Sequence, residues 1–212
     1  MKQFSIQEAI SFGWNTFKKY PWLLLGITLT VTVLPSLLQY ALQLPFKSDD
    51  PDNYNPLMMV GTLVSSFVSI YLTIGVIKIY LQLIDNKKIQ YQDLFNVQAD
   101  EYIHYLLASI VYGLIVVLGI IALIIPGIYF GLKYQYYSYL IIDKHLSVMD
   151  SVKESGNITK GHITQLFLFS LVIILLSFLG LLALLVGIFV VSPIVGIAQA
   201  SVYRKLAAAK KA

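Results

Sequence analysis

The sequence predicts an all-α membrane protein of six transmembrane helices, with three amphipathic helices lying on one membrane face. Three observations lead there. Hydrophobic residues fill 58% of the 212 positions and charged residues only 12%, too few to coat a water-soluble globule of this size. Apolar runs long enough to cross a hydrocarbon core alternate with short polar segments. The basic residues gather on one side of the resulting topology.

Taken in order, Ser5-Ile6-Gln7-Glu8 reads as a capping box, after which Ile6, Ala9, Ile10, Gly13 and Phe17 share one helical face. Gln7, Glu8, Ser11, Asn15 and Lys18 share the other, so this helix is expected in the membrane interface. Lys18, Lys19, Tyr20 and Trp22 mark headgroup level, and Pro21 opens a first span to about Leu42, which Pro35 is expected to kink. Residues 47–56 form a polar turn in water. A second span runs from Leu57 to Leu83, its Lys78 close enough to the end for the ammonium to reach the headgroups. Residues 91–101 read as a second surface helix.

A third span from Tyr102 to Ile125 turns at Pro126-Gly127. The return leg, 128–142, is roughly 22 Å long at helical rise, short of a core of about 30 Å. It is either a short, tilted crossing or the second arm of a hairpin that turns inside the membrane. Ser147 then caps a third surface helix ending at Thr159-Lys160-Gly161, with Val148, Val152 and Ser155 facing away from Asp150, Lys153, Glu154 and Asn157. Residues 163–203 hold no charge and make two spans with a turn near Gly180 to Gly187. Ser192-Pro193 and Gly196 interrupt the last span, and Tyr203-Arg204-Lys205 is read as its headgroup anchor.

With the surface helices and both termini on one side, fourteen of the fifteen basic residues lie there, against Lys47 alone. The positive-inside rule then places both termini in the cytoplasm. The first twenty residues are amphipathic and no signal-peptidase site follows, so the first span is expected to stay attached.

The single domain, 1–212, also carries a repeat. Residues 118–130 align with 179–190 with one residue of slip at the proline, Asn96 falls opposite Asn157, and Ser5, Glu8, Asn15 and Lys18 match Ser147, Asp150, Asn157 and Lys160. The implied unit is a surface helix followed by two spans, used three times over approximately 5–85, 91–143 and 147–206.

The stretches GWNTFKKYPWLLLG, IIPGIYFGLKY, LIIDKHLSVMDSVKESGNITKGH and ASVYRKL resemble the membrane domain found beside glycerophosphoryl diester phosphodiesterases and in YciC-like bacterial inner-membrane proteins. The resemblance covers nearly the whole chain. It implies a multi-span protein of the bacterial cytoplasmic membrane. The soluble phosphodiesterase domain of some relatives is not expected here, and no catalytic residue carries over.

The chemistry on view is sparse. There are no cysteines, and His104, His145 and His162 lack ligand spacing, so no metal or cofactor is expected. No acidic residue is expected inside a span, which counts against proton- or sodium-coupled transport. The densest polar constellation is Lys133 with Tyr129, Tyr134, Tyr136, Tyr137 and Tyr139. Lys133, Tyr129, Tyr134 and Tyr137 read either as a lipid or ligand contact or as an aromatic belt with a snorkelling lysine. Pro35, Pro126, Gly127 and Pro193 are candidate helix breaks or gates. The sequence favours a non-enzymatic membrane module acting through phospholipid, a protein partner or its own copies. The alternative is a transporter or channel for a lipid-like or small solute. Nucleic acid is not an expected partner, because acids are interspersed among the bases.

Overall fold

The computed structural model describes residues 4–46, 55–183 and 186–209, and all regular structure among them is helical. The turn expected over 47–56 lies outside the described residues up to position 54, as do Lys2, Lys47, Lys210 and Lys211. Among the described residues, five helices are long and apolar enough to cross a membrane: α2 (Pro21–Gln43), α3 (Met58–Ile84), α4 (Ala99–Ala122), α8 (Ile163–Leu182) and α9 (Val186–Ala209). Leu37, Leu114 and Ile174 on their outer faces are exposed, the pattern of helices whose solvent is lipid. The chain is thus a multi-pass membrane protein in its make-up.

Helix α1 (Ile6–Lys19) starts at Ser5, whose hydroxyl accepts from the Glu8 amide at 3.3 Å. The other half of the expected capping box is replaced by a long-range contact: the Glu8 carboxylate accepts from Lys205 at 2.7 Å. Its buried face, Ala9, Gly13 and Phe17, lies on α9, so protein covers residues expected to meet lipid. Trp22 remains 84% exposed, as an interfacial anchor should be.

The surface helix expected over 91–101 does not form. Residues Tyr91–Phe95 make one 3₁₀ turn, and Ala99 already belongs to α4. Two reach-back caps account for the split, Asp93 accepting from the Gln90 amide at 2.8 Å and Glu101 from the Gln98 amide at 2.9 Å. Leu94 of this turn is fully buried on α3 at Gly75, where any Cβ would overlap the Leu94 carbonyl.

The turn after α4 falls at Leu123, the one extended residue (φ −167°, ψ 147°), rather than at Pro126-Gly127. Pro126 sits instead in the first turn of α5 (Ile124–Tyr134), where its missing N–H costs nothing. Gly127 packs against Ile120 with no room for a Cβ, which closes the hairpin. The return leg is two helices, α5 and α6 (Tyr137–Lys144), in place of one crossing over 128–142. Side chains of α7 (Val148–Ile158) satisfy the joint: the Ser155 hydroxyl accepts from the Tyr136 amide at 3.1 Å, and Ser155 and Thr159 donate to the Lys133 carbonyl at 3.2 and 2.8 Å. Helix α7 is capped by Ser147, buries Val152 and Ser155, exposes Asp150, Lys153 and Asn157, and is stopped by Gly161 at φ 83°.

At the centre stand α3, α6 and α9, supplying Leu72, Ile74, Ile79, Leu140, Ile197 and Tyr203 to one core. Helices α2, α4 and α8 lie outside them.

Candidate ligand cavity and the charged cluster beneath it

A cavity of about 570 Å³ opens between the central helices and their neighbours α2 and α8. That size falls within the range of small-molecule sites, about 300–1,000 Å³. Helix α3 contributes Thr73, Val76, Ile77 and Tyr80, the α5–α6 joint Gln135, α6 Ser138 and Tyr139, and α9 Ser192, Val195, Gly196 and Gln199. Val31 of α2 and Ser177 of α8 complete the rim, with Ile188 and Val191. The lining holds no charged side chain. Its exposed members Ser177, Ile188 and Ser192 lie toward the α8–α9 turn, so the cavity opens at the end away from Arg204.

At the opposite end the cavity is closed by aromatic rings. Tyr80 packs on Gly196 so tightly that a Cβ there would overlap the ring. Tyr139 stacks on Tyr203 with centroids 5.2 Å apart, and Tyr136 lies 6.0 Å from Tyr203 and is buried. One step further along α9, Arg204 Nη1 donates to both Asp143 carboxylate oxygens and Nη2 to Asp85 Oδ2, all at 2.7 Å. The Tyr203 hydroxyl donates to Asp143 Oδ2 at 2.7 Å. One guanidinium therefore ties together the ends of α3, α6 and α9.

Further ion pairs rim this end. Lys78 meets Glu101 at 2.6 Å and donates to the Asn96 carbonyl at 2.7 Å, so it is engaged in the protein rather than free to reach headgroups. Glu101 is only 3% exposed although it stands in the first turn of a spanning helix, against the expectation that no acid enters a span. Lys144 lies 3.8 Å from Glu154. Outside the spans, the Glu8 carboxyl is held below its ordinary value by the Lys205 hydrogen bond and, next, by the Lys205 charge.

The residues singled out from sequence divide between places. Lys133 Nζ lies 5.5 and 5.3 Å from the ring centres of Tyr129 and Tyr134, so those three are together. Tyr137 is elsewhere, buried beside Tyr112 with centroids 5.0 Å apart. None of these four lines the cavity. Pro35 and Pro193 lie beside it: both helices run on through them, Pro35 withholds the N–H that the Val31 carbonyl would accept, and Pro193 adjoins Ser192. Asp85, Asp143 and Glu101 carried no signal of their own beyond being acids near helix ends. Tyr203 and Arg204, read as anchors, are a buried core residue and an ion-pair centre. Among the described residues no three His, Asp or Glu side chains gather as metal ligands.

Fold and cavity define a multi-pass membrane protein with a cavity among its helices that no charged side chain lines. No family model matches the chain, and no curated protein or solved structure matches it.

Proposed function

We propose that the chain is a non-catalytic membrane module that holds a lipid-like molecule or small solute in the cavity between α3, α6 and α9. The observation that carries this reading is the cavity's lining, in which hydroxyls and carboxamides face a space at membrane depth with apolar walls between them. Passage through the protein would require the tyrosine and Arg204 layer to part. The test is native mass spectrometry from mild detergent. The wild type retains a small molecule at fixed stoichiometry and a Ser192→Phe variant, filling the open side, loses it; retention by both, or by neither, refutes the proposal.

The same reading takes the chain as six crossings with both termini cytoplasmic, in a bacterial inner membrane, and keeps the resemblance to the phosphodiesterase-associated membrane domain. It also takes the three units as structurally equivalent. Two regularities support this. The opening segment of each unit packs on the last helix of the unit before it: the 91–95 turn on α3, α7 on α6, and α1 on α9. The pairs Lys78–Glu101, Lys144–Glu154 and Lys205–Glu8 join the units in that same cyclic order, and Asp85, Asp143 and Arg204, one from each unit, meet in one cluster. Because the chain has no native cysteine, single-cysteine labelling in cells tests the topology cleanly. Asn55→Cys and Leu123→Cys label from outside, and Lys88→Cys and Lys160→Cys only after permeabilisation; protection of Leu123→Cys from both sides would mean a hairpin that turns within the bilayer.

A further inference from the structure

The charge and hydrogen-bonding state of the cavity narrows what it takes, on the reading that it is a binding site. We propose that its occupant is an uncharged amphiphile whose head bears hydroxyl groups, the chemistry of a monoacylglycerol, and not a phospholipid phosphate or a fatty-acid carboxylate.

Charge comes first. An ionised head placed among residues with no counter-ion loses its hydration and meets only neutral donors in return, so it is disfavoured against an uncharged head. The lining offers no such counter-ion. Arg204, the cation nearest the closed end along α9, is already spent: one guanidinium faces the two carboxylates of Asp85 and Asp143, leaving that cluster one negative charge in excess. Lys133, the free-standing cation of the sequence reading, lies outside the cavity with its ammonium over two tyrosine rings.

Hydrogen bonding comes second. Among the described residues, Ser138, Ser177, Ser192, Gln199, Tyr80 and Tyr139 have no side-chain hydrogen-bond partner inside the protein, whereas Thr73 is taken up by the Ser69 carbonyl at 2.8 Å. Their polar atoms face open space instead of being sealed in the core, and a guest hydroxyl satisfies either kind because it donates and accepts at once. Ser138 and Tyr139 are buried at the closed end, with Gln199 across from them on α9, so the head belongs there. Third, Val191, Val195 and Ile188 line the way to the open end, a wall suited to an alkyl chain.

The experiment uses the full chain in an amine-oxide detergent, whose own head carries no hydroxyl. Monoolein and oleate, which share one chain and differ in head charge, are added at equal concentration and retained mass is read by native mass spectrometry. Monoolein retained at least tenfold over oleate, falling at least fivefold in Gln199→Leu and in Ser138→Ala, supports the proposal. Displacement of monoolein by millimolar glycerol also supports the head chemistry and assigns its source to water; no displacement assigns it to the lipid phase. Equal retention of oleate, still lost in Ser192→Phe, overturns the ligand class and leaves the binding site standing. Retention that none of the three variants changes overturns both. Melting curves within a few degrees of wild type show that each variant is folded.

Discussion

Replacing Arg204 by leucine removes a side chain that joins α3, α6 and α9. The loss can be worked from the geometry. Three charge-assisted hydrogen bonds at 2.7 Å disappear, Asp85 loses its cation, and Asp143 keeps only the Tyr203 hydroxyl. Bonds to charged groups contribute about 1.5–3 kcal/mol each. Two of the three share a donor, and the side chains retain 28%, 31% and 16% exposure for Arg204, Asp85 and Asp143, so water recovers part of the loss. The expected cost is about 2–4 kcal/mol, or about 5–15 °C in melting temperature for a chain of this length. Arg204→Lys keeps the charge but loses the planar fork that reaches two carboxylates, and is expected to recover about half. The assay is thermal unfolding in mild detergent followed by tryptophan fluorescence, with a double-mutant cycle through Asp143→Leu. A coupling above about 1 kcal/mol is expected for residues in direct contact. Arg204→Leu melting with the wild type, or an additive double mutant, would refute the reasoning.

The remaining predictions concern the contacts around this layer. Lys78→Met strands the buried Glu101 carboxylate and costs about 3 kcal/mol, while Lys78→Met with Glu101→Leu regains at least about 1 kcal/mol; a double variant less stable than the single would contradict the pairing. Gly75→Ala drives a Cβ into the Leu94 carbonyl and Gly13→Ala one into the Ile194 carbonyl, each expected to cost about 1–3 kcal/mol by thermal melting; unchanged melting in either places those helices further apart. The depressed carboxyl of Glu8 fixes the sign of a pH effect. The Lys205 pair is intact above the ordinary carboxylate value of 4.5 and is lost only as pH falls through the lower folded value, so Trp14 fluorescence stays flat from pH 8 to that point and changes below it. Glu8→Gln removes that change; a transition above pH 5 would assign it to another group.

How much of this was legible beforehand depended on whether the signal was local. Helices α2 and α3 lie where hydropathy puts them, and α7 begins at Ser147 and stops at Gly161 as its residues dictate, because span length, capping and a positive φ are each decided within one turn of chain. The misplacements share one cause, a tertiary contact overriding a local pattern. Residues 91–101 have the periodicity of a surface helix, yet Leu94 docks on Gly75, the Tyr71 hydroxyl takes the Phe95 carbonyl and Lys78 takes that of Asn96, so the segment is pinned as a turn. The return leg after α4 bends at Gln135-Tyr136 because Ser155 and Thr159, twenty residues or so further on, supply partners for backbone groups that one straight helix would have paired itself.

The site was the least legible part for a physical reason. A polar cavity among spanning helices is made from single serines, glutamines and tyrosines, each unremarkable in its own helix, and only convergence in space makes them a site. Sequence inspection ranks residues by local density, which is why it singled out Lys133 and its tyrosines, close together along α5 and the start of α6. The same bias hid the charged layer. Asp85, Asp143 and Arg204 each follow the apolar stretch of their helix, where a charge is the expected marker of the membrane surface. Anchoring would leave such side chains exposed and unpaired, yet here one guanidinium forms every one of its hydrogen bonds to the carboxylates that end the two other central helices. A charge that ends a span is therefore an anchor only when no partner ends another span beside it. In this chain the three charges meet, beyond the aromatic rings of Tyr139 and Tyr203.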